Sequence, residues 1–487
     1  MIHEQEITRE EILFEPSERW RILKNLLLIS FAFMIHFTAF MGMSNLQSSI
    51  NQNQSLGTSS LAVIYGSLII SNIFLPTLII RWLGCKWTIS LAFIAYMPFI
   101  GAQFFPTFWS MIPASFAVGF GGGPLWCAKC TYLTIMSEAY GKISNIPTDY
   151  LVTRFFGLFF MFYQMAQVLG NYISSSVLSY GTIEQSTNTT NQTAVIEFCG
   201  SRFCHMVEKE NPLLQRPSDE RIYFISAIYL GCMVMASLTV AFGVDSSTRY
   251  ETARTKTTTK TTGLKLLLVT LKLWKEKRQL LLLPITIFIG AEQAFLFADY
   301  NASFISCTWG INHIGYFMMC FGFVNAIGAL LAGSAMELFG RIPVIILAFV
   351  LHLAILITLL LWVPSLEHYT LFLVLSGLWG ICDAIWLVQV NALSGLLFPG
   401  MEEAAYSNFK LWEATGSVIT YAYSPYLCTD TKLFVLIGIL VIGVVCYLII
   451  EFITNQTKKI QLHDDKTNFE LDNNEDNSND KYSKNDS

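Results

Sequence analysis

The 487-residue chain has few charged side chains for its length. Asp, Glu, Lys and Arg make up 13% of it, whereas soluble globular domains contain roughly 25%. So few charges cannot cover a water-exposed surface of this size, which excludes a soluble globular protein. The net charge of −5 comes without a basic face, so we expect no nucleic-acid partner.

Several short motifs are also missing. The chain has no phosphate-binding Gly-Lys-Ser/Thr loop, no His-x-x-x-His pair and no nucleophile elbow, each of which marks a particular chemistry. These absences exclude an ATP-driven pump and predict a protein that is not an enzyme and holds no metal or cofactor. The first 22 residues contain six Glu and lead into an apolar run without a small-residue cleavage pattern, so we predict a retained first span.

Hydrophobic residues are abundant, at 53% of the chain with a mean hydropathy of +0.49. A helix needs about 20 consecutive apolar residues to cross a bilayer, and twelve such runs are present. They cover residues 23–43, 61–80, 88–105, 109–136, 151–178, 222–244, 280–298, 314–335, 342–363, 371–390, 411–426 and 433–452. We therefore predict an all-α protein of the lipid bilayer with twelve transmembrane helices.

The basic residues predict the orientation of these helices, because Lys and Arg accumulate on the cytosolic side. With a cytosolic N-terminus, five of the 30 basic residues fall outside and Lys129 falls within a span. The predicted regions are a cytosolic segment 1–22, a first six-helix half 23–244 with an outer loop 179–221, a basic cytosolic linker 245–279, a second half 280–454 and a disordered cytosolic tail 455–487. Both termini are therefore expected in the cytosol.

The predicted outer segments contain candidate sites of covalent modification. Four glycosylation triplets begin at Asn53, Asn188, Asn191 and Asn301, the last of them close to the membrane. Because the outer side is oxidising, we predict a disulfide between Cys199 and Cys204 that closes a small loop. Two further outer cysteines, Cys307 and Cys428, could also pair, and their spacing leaves this open.

The two halves repeat a short cytosolic loop after their second span. The second half reads Gly333-Ser-Ala-Met-Glu337-Leu-Phe-Gly340-Arg341, and the first half reads Arg81-Trp-Leu-Gly84-Cys-Lys86 without the acid. This loop resembles that of the major facilitator superfamily, whose two six-helix halves are related by an axis along the membrane normal. In this loop Glu337 and Arg341 can pair with each other at the cytosolic surface and cap helix ends; the alternative is a chance tight turn between spans.

Longer strings resemble one branch of that superfamily. They are Leu46-Gln-Ser-Ser49, Leu83-Gly-Cys-Lys86, the segment 124–136, Ser376-Gly-Leu-Trp-Gly380 and Tyr406-Ser-Asn408. Their order and content are similar to those of the uncoordinated-ninety-three family, in particular its A-type homologues, over residues 23–452.

This resemblance implies an accessory protein of the membrane. Family members are known as regulators of two-pore-domain potassium channels or as escorts of Toll-like receptors. The expected partner is thus a two-pore-domain potassium channel or another membrane protein. The expected location is the plasma membrane, with endolysosomes as second choice. A secondary transporter of a small solute or ion, working by alternating access, is the alternative.

Ionisable residues inside the spans are the candidate functional residues, because charge in a bilayer is costly and usually faces a cavity or a partner. In the facilitator plan the first, fourth, seventh and tenth spans line a central cavity. They carry His36, Lys129, Glu292 and Asp383, with Asp299 at the outer end of the seventh. The functional interpretation is a polar cavity in which Lys129 pairs with Glu292 or Asp383. The alternative is a structural pair that locks the halves together without a ligand.

Two further features of the spans have structural interpretations. Gly121-Gly-Gly-Pro124 lies within the fourth span, where it predicts a kink or, alternatively, a broken helix at a binding site. Glu413, in the eleventh span, is expected to make a hydrogen bond between packed helices. The resemblance also implies glutamine at the positions of Lys129 and Glu292, where this chain departs from the family pattern.

Overall fold

A computed structural model describes residues 17–50, 54–179, 199–204, 218–253, 272–309, 313–399, 401–424, 426–454 and 456. The first half contains α1 (Glu18–Ile50), α2 (Gln54–Gly101), α3 (Phe108–Ser144), α4 (Thr148–Ser179) and α5 (Asp219–Leu238). The second contains α6 (Lys277–Ala294), which continues as a π-helix (Phe295–Ser306), then α7 (Ile314–Phe339), α8 (Arg341–Leu361), α9 (Tyr369–Leu397), α10 (Glu402–Tyr423) and α11 (Thr429–Thr454).

Within these ranges, nine helices are long and apolar enough to cross a membrane by length and composition. One of them, Ser59–Phe104, has 46 residues, more than twice the length that one crossing requires. It contains two of the predicted spans. The membrane character predicted from composition is confirmed, whereas the number twelve stays a prediction.

Two glycines turn the chain at matching places in the two halves. Gly84 interrupts α2 with φ 73° and ψ 166°, and Gly340 separates α7 from α8 with φ 81° and ψ 172°. A Cβ atom would meet nothing within 4 Å at either position, so the backbone conformation, rather than space, favours glycine here. The predicted loop repeat therefore has one backbone geometry in both halves.

The charged residues of these loops do not pair as expected. Glu337 forms an ion pair with Arg154 of α4, and Arg341 lies 3.5 Å from Glu451 of α11, so the predicted Glu337–Arg341 pair is wrong. The reason is the close approach of α7 to α4 at Gly333, where a Cβ would lie 3.0 Å from the Arg154 Cα. Glu337 is thereby brought to a cation of the other half.

The basic residues of the first-half loop stay near the surface. The Lys86 Nζ lies 5.4 Å from the centroid of the Trp87 ring, and Arg81 is exposed. Neither takes part in a described ion pair across the halves.

The glycine-rich stretch of α3 serves helix packing. α3 is helical throughout Phe108–Ser144, so residues 121–124 do not break it. A Cβ added at Gly123 would collide with the Ser71 Oγ, and one added at Gly119 would collide with the Ile64 carbonyl oxygen. The glycines thus let α3 lie directly against α2, and the interpretation as a broken helix is wrong.

Two disulfides join the outer loop of the first half to the second half. Cys199 is bonded to Cys307, and Cys204 to Cys428. Both cysteines of the outer loop are therefore oxidised, but the predicted bond between them is wrong, as is a Cys307–Cys428 pair. The reason is that segment 199–204 docks on the second half, where the Phe203 carbonyl accepts hydrogen bonds from the Thr429 N–H (3.0 Å) and hydroxyl (3.1 Å).

Asn301 is not placed as a glycan acceptor. It lies in the π-helix with 7% of its surface exposed, and its Nδ2 donates to the Phe297 carbonyl at 3.2 Å. A glycan on this side chain would not fit the packed helices, so the structure does not favour Asn301 as an acceptor, and the glycosylation sites stay predictions. Asn53, Asn188 and Asn191 lie outside the described residues, as does the tail after residue 456. The predicted region boundaries and the tail's disorder stay predictions.

Asp245, the first residue of the predicted linker 245–279, forms an ion pair with α1 of the first half. Asp245 accepts from the Arg21 Nε at 2.7 Å and from the Asn25 Nδ2 at 3.0 Å. The Arg21 guanidinium holds the pKa of the Asp245 carboxyl well below its usual range. This contact ties the start of α1 to the chain that follows α5.

Candidate functional site

Asp383, on α9, is held by amide groups from three other helices. Its Oδ2 accepts from the Asn325 Nδ2 (2.6 Å) and the Gln164 Nε2 (3.3 Å), and its Oδ1 accepts from the Gln293 Nε2 (2.9 Å). Only 1% of Asp383 is exposed. Gln164 belongs to the first half and the other two amides to the second, so this carboxyl group connects the halves.

Glu292, on α6, is the neighbour of Asp383. It is fully buried, and its Oε2 accepts a hydrogen bond from the Trp379 Nε1. Among the described residues no N–H or O–H group donates to its Oε1, and the carboxyl group interacts directly with that of Asp383. Among the residues that the structure describes, no cation forms an ion pair with either carboxyl group.

Lys129, on α3, is enclosed by aromatic rings. Its Nζ lies 4.4 Å from the centroid of Phe159, and it also contacts Phe160, Phe156 and Trp126 at 4.6, 5.1 and 5.3 Å. The Nζ has no hydrogen-bond acceptor in the described part of the chain. The predicted ion pair of Lys129 with Glu292 or Asp383 is therefore wrong, because the faces of these rings stabilise the ammonium group instead.

A further cation–π contact joins α3 and α10. The Lys410 Nζ lies 4.3 Å from the centroid of the Trp126 ring and forms an ion pair with Glu413, three residues further along α10. Trp126 thus contacts two ammonium groups, one from each half. Glu413, expected to make a helix-packing hydrogen bond, neutralises Lys410 instead.

Two of the predicted cavity residues lie elsewhere. His36 stacks on Phe93 within the first half, with 4.1 Å between ring centroids. Asp299 accepts from the Lys432 Nζ at 2.5 Å and from the Ser424 Oγ at 2.6 Å, at the outer end of the second half. Of the five cavity candidates, the structure brings only Glu292 and Asp383 together.

The amides of this site and the second lysine were not predicted from the sequence. Gln164, Gln293 and Asn325 each lie within or beside an apolar run, where a polar side chain is a signal of interhelical hydrogen bonding. Lys410 lies three residues before Glu413 at the edge of the eleventh run, a spacing that places both side chains on one helix face. These signals were available, but the partners depend on tertiary packing.

The site therefore has two poles of opposite charge. Glu292 and Asp383 form a carboxyl pole that N–H groups surround, whereas Lys129 and Lys410 form an ammonium pole that aromatic rings surround. Within the described ranges there is no group of three or more His, Cys, Asp or Glu side chains that could hold a metal ion. The arrangement connects the halves through charge-assisted hydrogen bonds and cation–π contacts.

These helices and this interior define a multi-pass membrane protein with the major facilitator fold. The structure is similar to that of the major facilitator transporter FucP in the outward conformation, with a TM-score of 0.60 at 12% identity, covering 88% of this chain and 99% of FucP. At this identity the likeness concerns the fold alone. It confirms the predicted fold class.

The chain belongs to the UNC-93 family. Residues 47–448 match the family described as "Ion channel regulatory protein UNC-93". The chain is 39% identical to "Protein unc-93 homolog A" of Xenopus laevis over 90% of this chain and 95% of that protein. It is 32% identical to "Putative potassium channel regulatory protein unc-93" of Caenorhabditis elegans over 88% of this chain and 61% of that protein. The predicted family membership is confirmed.

Proposed function

We propose that this protein is a non-enzymatic accessory protein that regulates a potassium channel in the plasma membrane. The observation that carries the proposal is the family match over residues 47–448, together with the name of the nematode relative. The partner that the sequence resemblance implies is a two-pore-domain channel. The distribution of Lys and Arg supports cytosolic termini.

The packing of the interior supports this role. The buried charges are met by amides, rings and ion pairs of the chain itself, and two disulfides attach the outer loop of the first half to the second. An integral partner would then contact the lipid-facing surface, where large apolar side chains such as Phe31, Ile70 and Leu91 are exposed. This arrangement suits a rigid binding surface within the bilayer.

Co-purification tests the proposal. The tagged chain is co-expressed with a two-pore-domain potassium channel, solubilised in a mild detergent and captured, and the channel is quantified in the eluate. A tagged facilitator transporter of similar size is the matched control. We expect enrichment of the channel over that control. An eluate with no more channel than the control, despite equal surface expression, would contradict the proposal.

Escort of a membrane partner is the second form of the accessory role. Surface labelling and organelle staining of the partner, with and without this chain, distinguish it from regulation. Regulation changes the current of each surface channel, whereas escort changes the number of channels at the surface or in endolysosomes.

Alternating-access transport of a small solute or ion is the alternative function. It is favoured by one observation, which is that Asp383 and Glu292 lie in the centre of a facilitator fold without a described cation partner. Uptake of a broad solute panel tests it, with Asp383→Asn as the variant and Arg81→Gln, at an exposed residue without a described ion pair across the halves, as control. Transport predicts that only Asp383→Asn abolishes uptake at equal surface expression, and uptake equal to that of untransfected cells would contradict it.

A further inference from the structure

We propose that the carboxyl pair is a proton-binding site, with the proton on Glu292 beside an ionised Asp383, at the contact between the two halves. The site is assigned from its geometry and holds whether the protein regulates a channel or transports a solute. Its ligand is the proton, bound in the centre of the protein.

Two negative charges cannot be buried together at this place. Glu292 and Asp383 are 0% and 1% exposed, and moving an unpaired carboxylate out of water costs several kcal/mol. Two adjacent buried carboxyl groups without a cation therefore share a proton, as paired carboxyl groups do in other proteins.

The groups that face the pair supply no compensating positive charge. Five titratable groups contact or interact electrostatically with the pair or with its tryptophan partner: Tyr163 from α4, Tyr300 from the π-helix, His352 from α8, Cys382 from α9 and Glu413 from α10. The amide of Asn325 comes from α7. His352 accepts the Trp386 N–H at its Nδ1 (3.2 Å), which requires that nitrogen to be unprotonated. None of these groups is a cation in this arrangement.

The hydrogen bonds assign the proton to Glu292. An ionised carboxylate can only accept, and Asp383 accepts three N–H groups. Glu292 accepts one, and no N–H or O–H group of the described residues donates to its Oε1. A proton on Oε1 turns this unpaired acceptor into a donor. Asp383 is an acceptor at the same site, and so is the Asn325 Oδ1, which has no hydrogen-bond partner among the described residues.

The position of the proton affects the contact between the halves. Gln164 of the first half donates to Asp383 of the second, and this bond is strong because its acceptor is charged. If the proton moves from Glu292 Oε1 to Asp383, the negative charge moves to Glu292 and the Gln164 bond weakens. Which of the two carboxyl groups holds the proton therefore determines the strength of the hydrogen bond between α4 and α9.

Infrared spectroscopy of the purified full-length protein in lipid nanodiscs tests the site. A protonated carboxyl group has a carbonyl stretch that ionised carboxylates and amides lack, and exchange from H2O to D2O shifts it. The variants are Glu292→Gln, which imitates the neutral carboxyl group in shape, and the control Glu413→Gln, which removes a carboxylate that Lys410 already neutralises. Size-exclusion chromatography verifies that each variant is monodisperse.

We expect one D2O-sensitive carboxylic band in the wild type and in Glu413→Gln, and its loss in Glu292→Gln. A band that survives in Glu292→Gln would overturn the assignment. A wild-type spectrum without the band would also overturn it. This includes the case in which the purified protein retains stoichiometric sodium or potassium, because a metal cation would then occupy the site in place of the proton. The wild-type spectrum alone decides the presence of a proton if Glu292→Gln fails to fold.

Discussion

Asp299 and Asp383 are both 1% exposed and both lie in the second half, yet the chain stabilises them in different ways. Asp299 has a lysine and a hydroxyl group as partners, whereas Asp383 has three amides and no described cation. The ion pair leaves Asp299 neutralised and fixed at the outer end. The amides stabilise Asp383 without neutralising it, so its environment can respond to a proton. We therefore expect the outer pair to act as a structural anchor and the central carboxyl pair to be the functional site.

The largest expected effect comes from breaking the outer pair. Lys432→Met leaves Asp299 buried without a cation, which costs about 3–5 kcal/mol of the free energy of unfolding. The measurement is unfolding of the purified protein in mixed micelles. The double variant Lys432→Met with Asp299→Asn is the control and should recover most of the loss. A single variant as stable as wild type would show that the pair does not anchor this end.

Asp383→Asn should have a smaller effect, of about 1–3 kcal/mol. The substitution keeps the shape and one acceptor oxygen but removes the charge that strengthens the hydrogen bonds from Gln164, Gln293 and Asn325. The same unfolding measurement applies. A loss equal to that of Lys432→Met would mean that the centre is an anchor like the outer end.

Asp245 offers a third case, in which a carboxylate at the membrane surface pairs with Arg21. Because the folded-state pKa of Asp245 is lowered, its stabilisation is fully present above the unfolded pKa of about 3.9 and is lost progressively as the pH falls from there through the lower folded-state pKa. The half-exposed pair contributes about 1 kcal/mol at neutral pH. The stability difference between wild type and Asp245→Asn should therefore narrow at pH 3. A difference that stays constant with pH would contradict this assignment.

The smallest effect is expected at the exposed pair of Arg154 and Glu337. Exposed ion pairs contribute about 0–1 kcal/mol, so Arg154→Gln should change the free energy of unfolding by no more than this. Thermal unfolding of Arg154→Gln beside Glu337→Gln measures it. A loss above about 2 kcal/mol in either variant would show that this inner contact is a main connection between the halves.

The fold could be predicted from the sequence because its signals are local. Apolar runs, the distribution of Lys and Arg and the glycines at positions 84 and 340 each depend on a short stretch of chain. The pairings between side chains could not be predicted, because they join residues that are far apart in the sequence. Cys199 and Cys307 are 108 positions apart, and Arg154 and Glu337 are 183 positions apart. Lys129 is instructive, since the aromatic residues around it look like ordinary lipid-facing positions until α4 is packed against α3.

The current of a two-pore-domain potassium channel tests the central functional claim most directly. Whole-cell current is recorded with and without this chain, and each value is divided by the number of channels labelled at the cell surface. The accessory-protein account predicts that the current per surface channel changes when the chain is present and forms a complex with the channel. An unchanged current per channel and an unchanged surface number, with the chain itself at the surface, would contradict the account.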